Sequence, residues 1–186
     1  MVLLLLADGF EEMEAITPVD ILRRAGTDVV TLGVTGAIVT GAHGIPLVCD
    51  CTWDTRPEGK PDMVILPGGG LGVENLHKDP RVETLVRTAD LEEALIAAIC
   101  AAPTLLADWG LLQGKAAVCF PGLEQSLVQG GANIPAHQDV VVDDRIITAK
   151  AAGTAVSFAL KLTELLKNRQ TARELAATIA YPAVEL

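Results

Sequence analysis

The sequence predicts an α/β protein in which a mostly parallel sheet carries helices on both faces, and three observations lead there. Short, continuously apolar runs recur, with VLLLLA at 2–7, MVIL within 62–70 and LIAAI within 94–99, which is the pattern of strands buried on both sides. Stretches with helical spacing, rather than hairpin turns, follow these runs. Glycine marks several of the joints, as in LPGGG at 66–70. At 186 residues and 50% hydrophobic content, the chain has the size of one compact domain, 1–186, with ample material for a core.

Taken in order, residues 2–7 are the first strand and 11–25 the first helix. Ile16, Val19, Ile21 and Leu22 fall near helical spacing there, and Gly26 ends the segment. Residues 28–33 form a second strand. The stretch 36–54 is rich in Gly, Thr and Val with weak alternation, so short extended segments are expected, as in a hairpin or an extra arm. Residues 62–70 are a buried strand running into a glycine loop, and Pro80 opens a helix that runs to about Glu93. Residues 94–99 make the next strand. After Cys100 a helix runs to about Trp109, and 116–119 begin another strand. Residues 140–149 read as a hairpin with Asp143-Asp144 at its turn. A helix over 153–168 is expected to bury Val156, Leu160 and Leu165, and a last helix covers 171–177.

Charge and cysteine usage narrow the partners. A formal net charge of -10 and the lack of any long Lys/Arg cluster would repel a nucleic acid backbone or an anionic membrane surface. Small molecules or proteins are therefore the expected partners. The N-terminal apolar run is too short for a membrane span and is followed at once by DGFEEMEA, so it reads as a strand rather than an export signal. Four cysteines without such a signal point to a reducing, cytoplasmic setting rather than a disulfide scaffold. Cys49-Asp50-Cys51 lacks further ligands at recognisable spacing, and no metal site is expected.

Ligands of an open α/β sheet bind beyond the carboxyl ends of its strands, where GFEEMEA, PGGG and ICAAP all fall. A cysteine ending an apolar strand is by itself ordinary core packing, and PGGG by itself a tight turn. Cys100, however, stands where a strand gives way to a helix, a turn that lifts the side chain above the sheet and aims backbone N–H groups at it. Such a thiol is expected to have a lowered pKa and to be largely thiolate. Ala101 and Ala102 leave room for a ligand, and the glycines Gly68, Gly69 and Gly70 could add an N–H to an oxyanion pocket. Glu11 and Glu12 read as a solvated helix start, whereas Glu14 is placed to point inward. Cys119 is either a resolving thiol near Cys100 or core.

DGFEEMEAITPVDILRRAG, VILPGGGLGVENL, AAICAAPTLLA and GTAVSFALKLTELL, in that order, closely resemble the ThiJ/PfpI superfamily. The likeness is to its branch of the Parkinsonism-associated deglycase and bacterial YajL. It implies a flavodoxin-like three-layer sandwich with a cysteine nucleophile elbow, a homodimer, and no metal or organic cofactor. It also implies Cys100 as nucleophile, Glu14 as the carboxylic acid bonded to its sulfur, and Gly69 and Ala101 as amide donors. Relatives of the peptidase type carry His after the nucleophile, where this chain has Ala101, so a protease is not expected. A His-Pro pair of the Parkinsonism-associated member is matched by Phe120-Pro121, and His43 falls where relatives have an arginine near the dimer interface. The implied function is cofactor-independent conversion of 2-oxoaldehydes, as a glutathione-independent glyoxalase or deglycase. The alternative is a peroxide-responsive sensor or redox-dependent chaperone acting through oxidation of Cys100.

Overall fold

Alternation along five central strands decides the layers. The computed structural model describes residues 1–182. Its elements in chain order begin with β1 (Val2–Leu6), α1 (Glu12–Arg24), β2 (Val29–Gly33), β3 (Ile38–Thr40), β4 (Pro46–Val48), β5 (Cys51–Thr52) and β6 (Met63–Leu66). They continue with α2 (Gly70–Lys78), α3 (Pro80–Leu91), β7 (Leu95–Ile99), α4 (Pro103–Asp108), α5 (Glu124–Gln129), β8 (Val140–Asp143), β9 (Ile146–Ala149), α6 (Ala155–Leu166) and α7 (Arg169–Thr178). Seven strands make one sheet in the order β5-β2-β1-β6-β7-β9-β8, parallel throughout except for β8 against β9.

Every residue of β1 and β6 is buried, and successive side chains serve opposite cores. Leu5, Val64, Leu66, Ile96 and Ala98 meet α2, α3, α4 and α5 on one face. Leu4, Leu6, Met63, Ile65, Ala97 and Ile99 meet α1 and α6 on the other. Helix α7 then packs outside α6 and α1 through Leu175 and Ala176 against Ile21, Ala159 and Leu160. Continuous apolar runs are the consequence of covering both faces, as the sequence predicts. The parallel strands β2-β1-β6-β7-β9 take the flavodoxin-like order, so the expected three-layer sandwich is the observed one.

Several elements depart from the sequence reading. No strand forms at 116–119: Ala116 makes a single bridge to Asn133, and the Val118 amide is taken up by the Thr148 side chain instead of a ladder. Helix α2 precedes the helix that Pro80 opens, and α5 buries only Leu127, too little to leave a periodic signal. The hairpin turn is Asp144-Arg145, because Asp143 still pairs with Ile146. Residues 38–48 do form a hairpin, as a separate two-stranded sheet. The buried positions of α6 are Ala155, Phe158, Ala159, Leu160, Leu162 and Thr163, so Leu160 is buried as expected while Val156 is only partly buried and Leu165 is 39% exposed.

Phe158 is fully buried between α6 and the sheet. Phe158→Ala is expected to lower stability by about 3–5 kcal/mol, read from the denaturant midpoint.

Candidate active site

The chain reverses its progress through the sheet between β1 and β6: β1 leads to β2 on one side, while β6 leads to β7 on the other. The loops that follow β1 and β6 face each other across this switch point, and the turn after β7 lies beside them. They are tied together, since the Glu11 amide donates to the Gly68 carbonyl at 3.0 Å and the Gly72 amide to the Gly9 carbonyl at 3.1 Å. All three strand ends singled out in the sequence therefore converge.

Cys100 occupies the turn between β7 and α4 with φ +67, the left-handed region that costs a non-glycine residue about 1–2 kcal/mol. Its surroundings hold it there. The Cys100 amide donates to Ala149 at the end of β9 at 2.9 Å, and the Phe120 amide donates to the Cys100 carbonyl at 2.8 Å. The sulfur is partly buried and lies within reach of the backbone amides of Gly69 and Ala101. Strand β9 and the segment at Phe120 thus fix the backbone, leaving the side chain above the sheet.

Glu14 is completely buried, projecting from the first turn of α1. Its Oε2 accepts a 2.9 Å hydrogen bond from the Gly68 amide. Oε1 is buried without a hydrogen bond of ordinary geometry among the described residues, although the carboxyl interacts with the Cys100 thiol and the Ala152 amide. Gly68 makes this approach sterically possible. A Cβ there would sit 2.5 Å from Glu14 Oε2 and 2.6 Å from the Cys100 Cβ. Gly69, at φ +90, is equally constrained, since its Cβ would meet the Gly9 carbonyl oxygen at 2.3 Å.

Burial raises the Glu14 carboxyl to about 7; the Cys100 interaction and the Gly68 and Ala152 amides oppose the rise, while the charge of Glu11 adds to it. The Cys100 thiol does not follow the expectation of a freely ionised thiolate. Burial, and then an ionised Glu14 beside it, push the thiol up to about 12 against the pull of the Gly69 and Ala101 amides. Helix α4, only six residues long, adds little dipole of its own. Two neighbouring acids in a dry site resist losing both protons, so a thiolate at Cys100 requires the proton to reside on Glu14.

The other acids of the stretch are not a solvated helix start. Glu11 caps α1, its side chain accepting the Glu14 amide at 2.8 Å. Glu12 is 6% exposed and binds His43 twice, through the backbone amide and Nδ1, each at 2.8 Å. Burial opposes ionisation of Glu12, but the two His43 bonds prevail and lower its pKa; they raise that of His43. His43 accordingly anchors the β3-β4 hairpin to α1, with its ring largely exposed.

Other sequence candidates separate by position. Phe120 contributes its amide to the elbow while its side chain is 46% exposed, Pro121 and Gly70 are exposed, and Ala102 is buried in the α2–α5 core. Cys119 belongs to that same core, whereas Cys100 packs against the opposite one; burial pushes the Cys119 thiol up to about 12. Cys49 and Cys51 are buried and likewise serve opposite cores, the ordinary outcome for alternate residues of an extended segment. The Ala152 amide and the capping role of Glu11 are not legible from local pattern. A short polar-poor loop after β9 carries no signal of a donor, and an acid before a helix reads equally well as solvated.

Comparison with known proteins gives a consistent picture. The DJ-1/PfpI family model matches residues 1–165. The zebrafish (Danio rerio) Parkinson disease protein 7 homolog is 34% identical over 179 residues, covering 95% of either chain. The Caenorhabditis elegans protein named glutathione-independent glyoxalase DJR-1.2 is 33% identical over 173 residues, covering 93% of this chain and 91% of its own. Among solved structures, Drosophila melanogaster DJ-1beta superposes with a TM-score of 0.92 at 36% identity, over 96% of each chain.

Two measurements test the electrostatics. The folded pKa of Glu14, about 7, lies above its ordinary 4.5, so the folded state holds the extra proton between those values. Its contribution to stability falls as pH rises from 4.5 through 7 and is constant above, a total of about 3 kcal/mol. Subtracting the pH-stability profile of Glu14→Gln from that of the wild type is expected to expose this slope. Glu11→Gln keeps an oxygen for the Glu14 amide but removes the charge that adds to the rise, so the titration midpoint of the Glu14 carboxyl, followed by carbon NMR, is expected to move to lower pH. Glu11→Ala is expected to move the midpoint likewise and also to cost about 1 kcal/mol of stability through the lost cap.

Proposed function

This chain belongs to the DJ-1/PfpI family, and we propose that it is a cofactor-independent glyoxalase that converts 2-oxoaldehydes such as methylglyoxal to 2-hydroxy acids without glutathione. One observation carries the reading: the buried Glu14 carboxyl beside the Cys100 sulfur, with a pKa near neutrality. A group that must both give and take a proton in one turnover works best with such a value. The nematode relative, named a glutathione-independent glyoxalase, adds support from outside the site.

The sequence of steps uses only residues of this site and water. With the pair's proton on Glu14, the Cys100 thiolate adds to the aldehyde carbon, and Glu14 protonates the resulting alkoxide to give a hemithioacetal. The Glu14 carboxylate then removes the proton from that carbon, forming an enediolate, and returns it to the adjacent carbon while the hydroxyl proton passes from the first oxygen to the second. This internal redox step leaves a 2-hydroxy thioester on Cys100. Water hydrolyses the thioester, releasing the 2-hydroxy acid and the thiolate while its remaining proton returns to Glu14. The Gly69 and Ala101 amides, already directed at the sulfur, are the donors closest to the negative charge that shuttles between sulfur and oxygen. The assembly proposed is a homodimer, supported by the exposed Met13 and Ile16 on α1 and Ile38 and Val48 on the hairpin.

Stereospecific lactate formation from methylglyoxal, without glutathione, tests the reading. Cys100→Ser is expected to abolish it, and Glu14→Gln to slow it by about 10²–10⁴-fold while leaving the fold intact. Lactate formation undiminished in Cys100→Ser would refute the assignment. A wild type without turnover whose Cys100 is instead oxidised by peroxide would favour the sensor.

A further inference from the structure

A second cavity lies at the far edge of the sheet. Its volume is about 580 Å³, and it opens between the short 3-10 turn Trp53–Thr55 that follows β5 and the first half of α3. Strand β5 is four positions across the sheet from β7, roughly 19 Å at ~4.8 Å per strand. None of Cys100, Glu14, Gly68 or Gly69 lines it. The volume falls within the range of small-molecule sites, and its wall combines Trp53 and Leu85 with the guanidinium groups of Arg56 and Arg81.

Two arginines face the cavity in different states. Arg81 is fully engaged: it binds the Asp79 carboxylate through Nε and Nη2 and stacks over the Trp53 ring with 4.9 Å to the centroid. Asp79 is itself held by the Trp53 indole N–H at 3.1 Å, so this trio is rigid and electrostatically closed. Arg56 is the opposite case. It lines the cavity, its enclosed Nη1 has no hydrogen-bond partner, and among the described residues it forms no ion pair with a carboxylate. In a chain with 24 acidic residues, a guanidinium on a cavity wall with no carboxylate beside it is unusual. Asp54, also on the wall, is exposed and exerts its charge on Arg81. Leu85 supplies an apolar wall, and the exposed Thr88 stands on the same side.

We propose that this cavity is a binding site for a small organic anion, whose carboxylate or phosphate pairs with Arg56 while its apolar body rests against Leu85 and the free edge of Trp53. The planar fork of Arg56 suits two oxygens of one such group, and Thr88 stands on the same wall as a spare donor. Arg81, neutralised by Asp79, shapes the cavity without competing for the anion. The site is independent of the chemistry at Cys100.

Calorimetric titration with three probes tests it: benzoate, phenyl phosphate and inorganic phosphate. Saturable binding of benzoate or phenyl phosphate is expected, tighter than that of inorganic phosphate, and equal in the wild type and in Cys100→Ser. The preference between the two aromatic probes identifies the headgroup. Arg56→Gln is expected to weaken binding about tenfold or more, and Arg56→Lys to recover part of the loss, with circular dichroism confirming that both variants are folded. Binding of none of the probes would overturn the proposal. So would an affinity unchanged in Arg56→Gln, or binding that disappears in Cys100→Ser and thus belongs to the other site.

Discussion

Two acids buried side by side cannot both be charged without a counter-ion, and the architecture around Glu14 and Cys100 follows from that constraint. Among the described residues no cation offsets the pair. What surrounds it instead is a set of backbone N–H groups, from Gly68 and Ala152 toward the carboxyl and from Gly69 and Ala101 toward the sulfur. Partial charges of this kind stabilise a single negative charge at either atom. Burial and the neighbouring carboxylate favour the proton on sulfur, so forming the thiolate means passing that proton to Glu14, a transfer that a fixed ion pair with lysine or arginine on the carboxylate would oppose.

Close approach of backbone to side chain is the structural cost of this arrangement. The amides can reach the two acids only if the loop after β6 has no side chains in the way, which is why Gly68 and Gly69 occupy it. Cys100 can rise above the sheet only in a left-handed conformation, and that strain is held by hydrogen bonds from two separate regions, β9 and Phe120. A rigid parallel sheet makes both possible, because the ends of β1, β6, β7 and β9 are set side by side by their register. Pre-organisation of the site is therefore a property of the sheet as a whole.

The three glutamates of one helical turn show how little residue type alone decides. Glu11 caps α1 and adds negative charge near Glu14; Glu12 turns away to bind the hairpin through His43; Glu14 enters the dry interior. Successive helical positions lie about 100° apart, so residues that are neighbours in sequence face different environments. One becomes a cap, one an anchor and one an acid with a pKa near 7.

Patterns that repeat along the chain survive translation into structure, and local ones do not. The doubly covered sheet was legible because burial on both faces demands continuous apolar runs in β1, β6 and β7, and the elbow was legible because a thiol ended one of them. The resemblance carried by the quoted motifs pointed to Glu14, Gly69 and Ala101 beside it. Helix α5, the irregular segment at 116–119 and the fate of Leu165 were not legible, since each depends on which neighbour happens to cover it. The same holds for the thiol itself. The sequence by itself determined that a cysteine stands at the end of a buried strand; only tertiary structure decided that it is buried against an acid, which reverses the pKa shift expected from the turn alone. Desolvation and charge-charge interactions depend on distances through space, and those are set by the packing of segments remote in the chain.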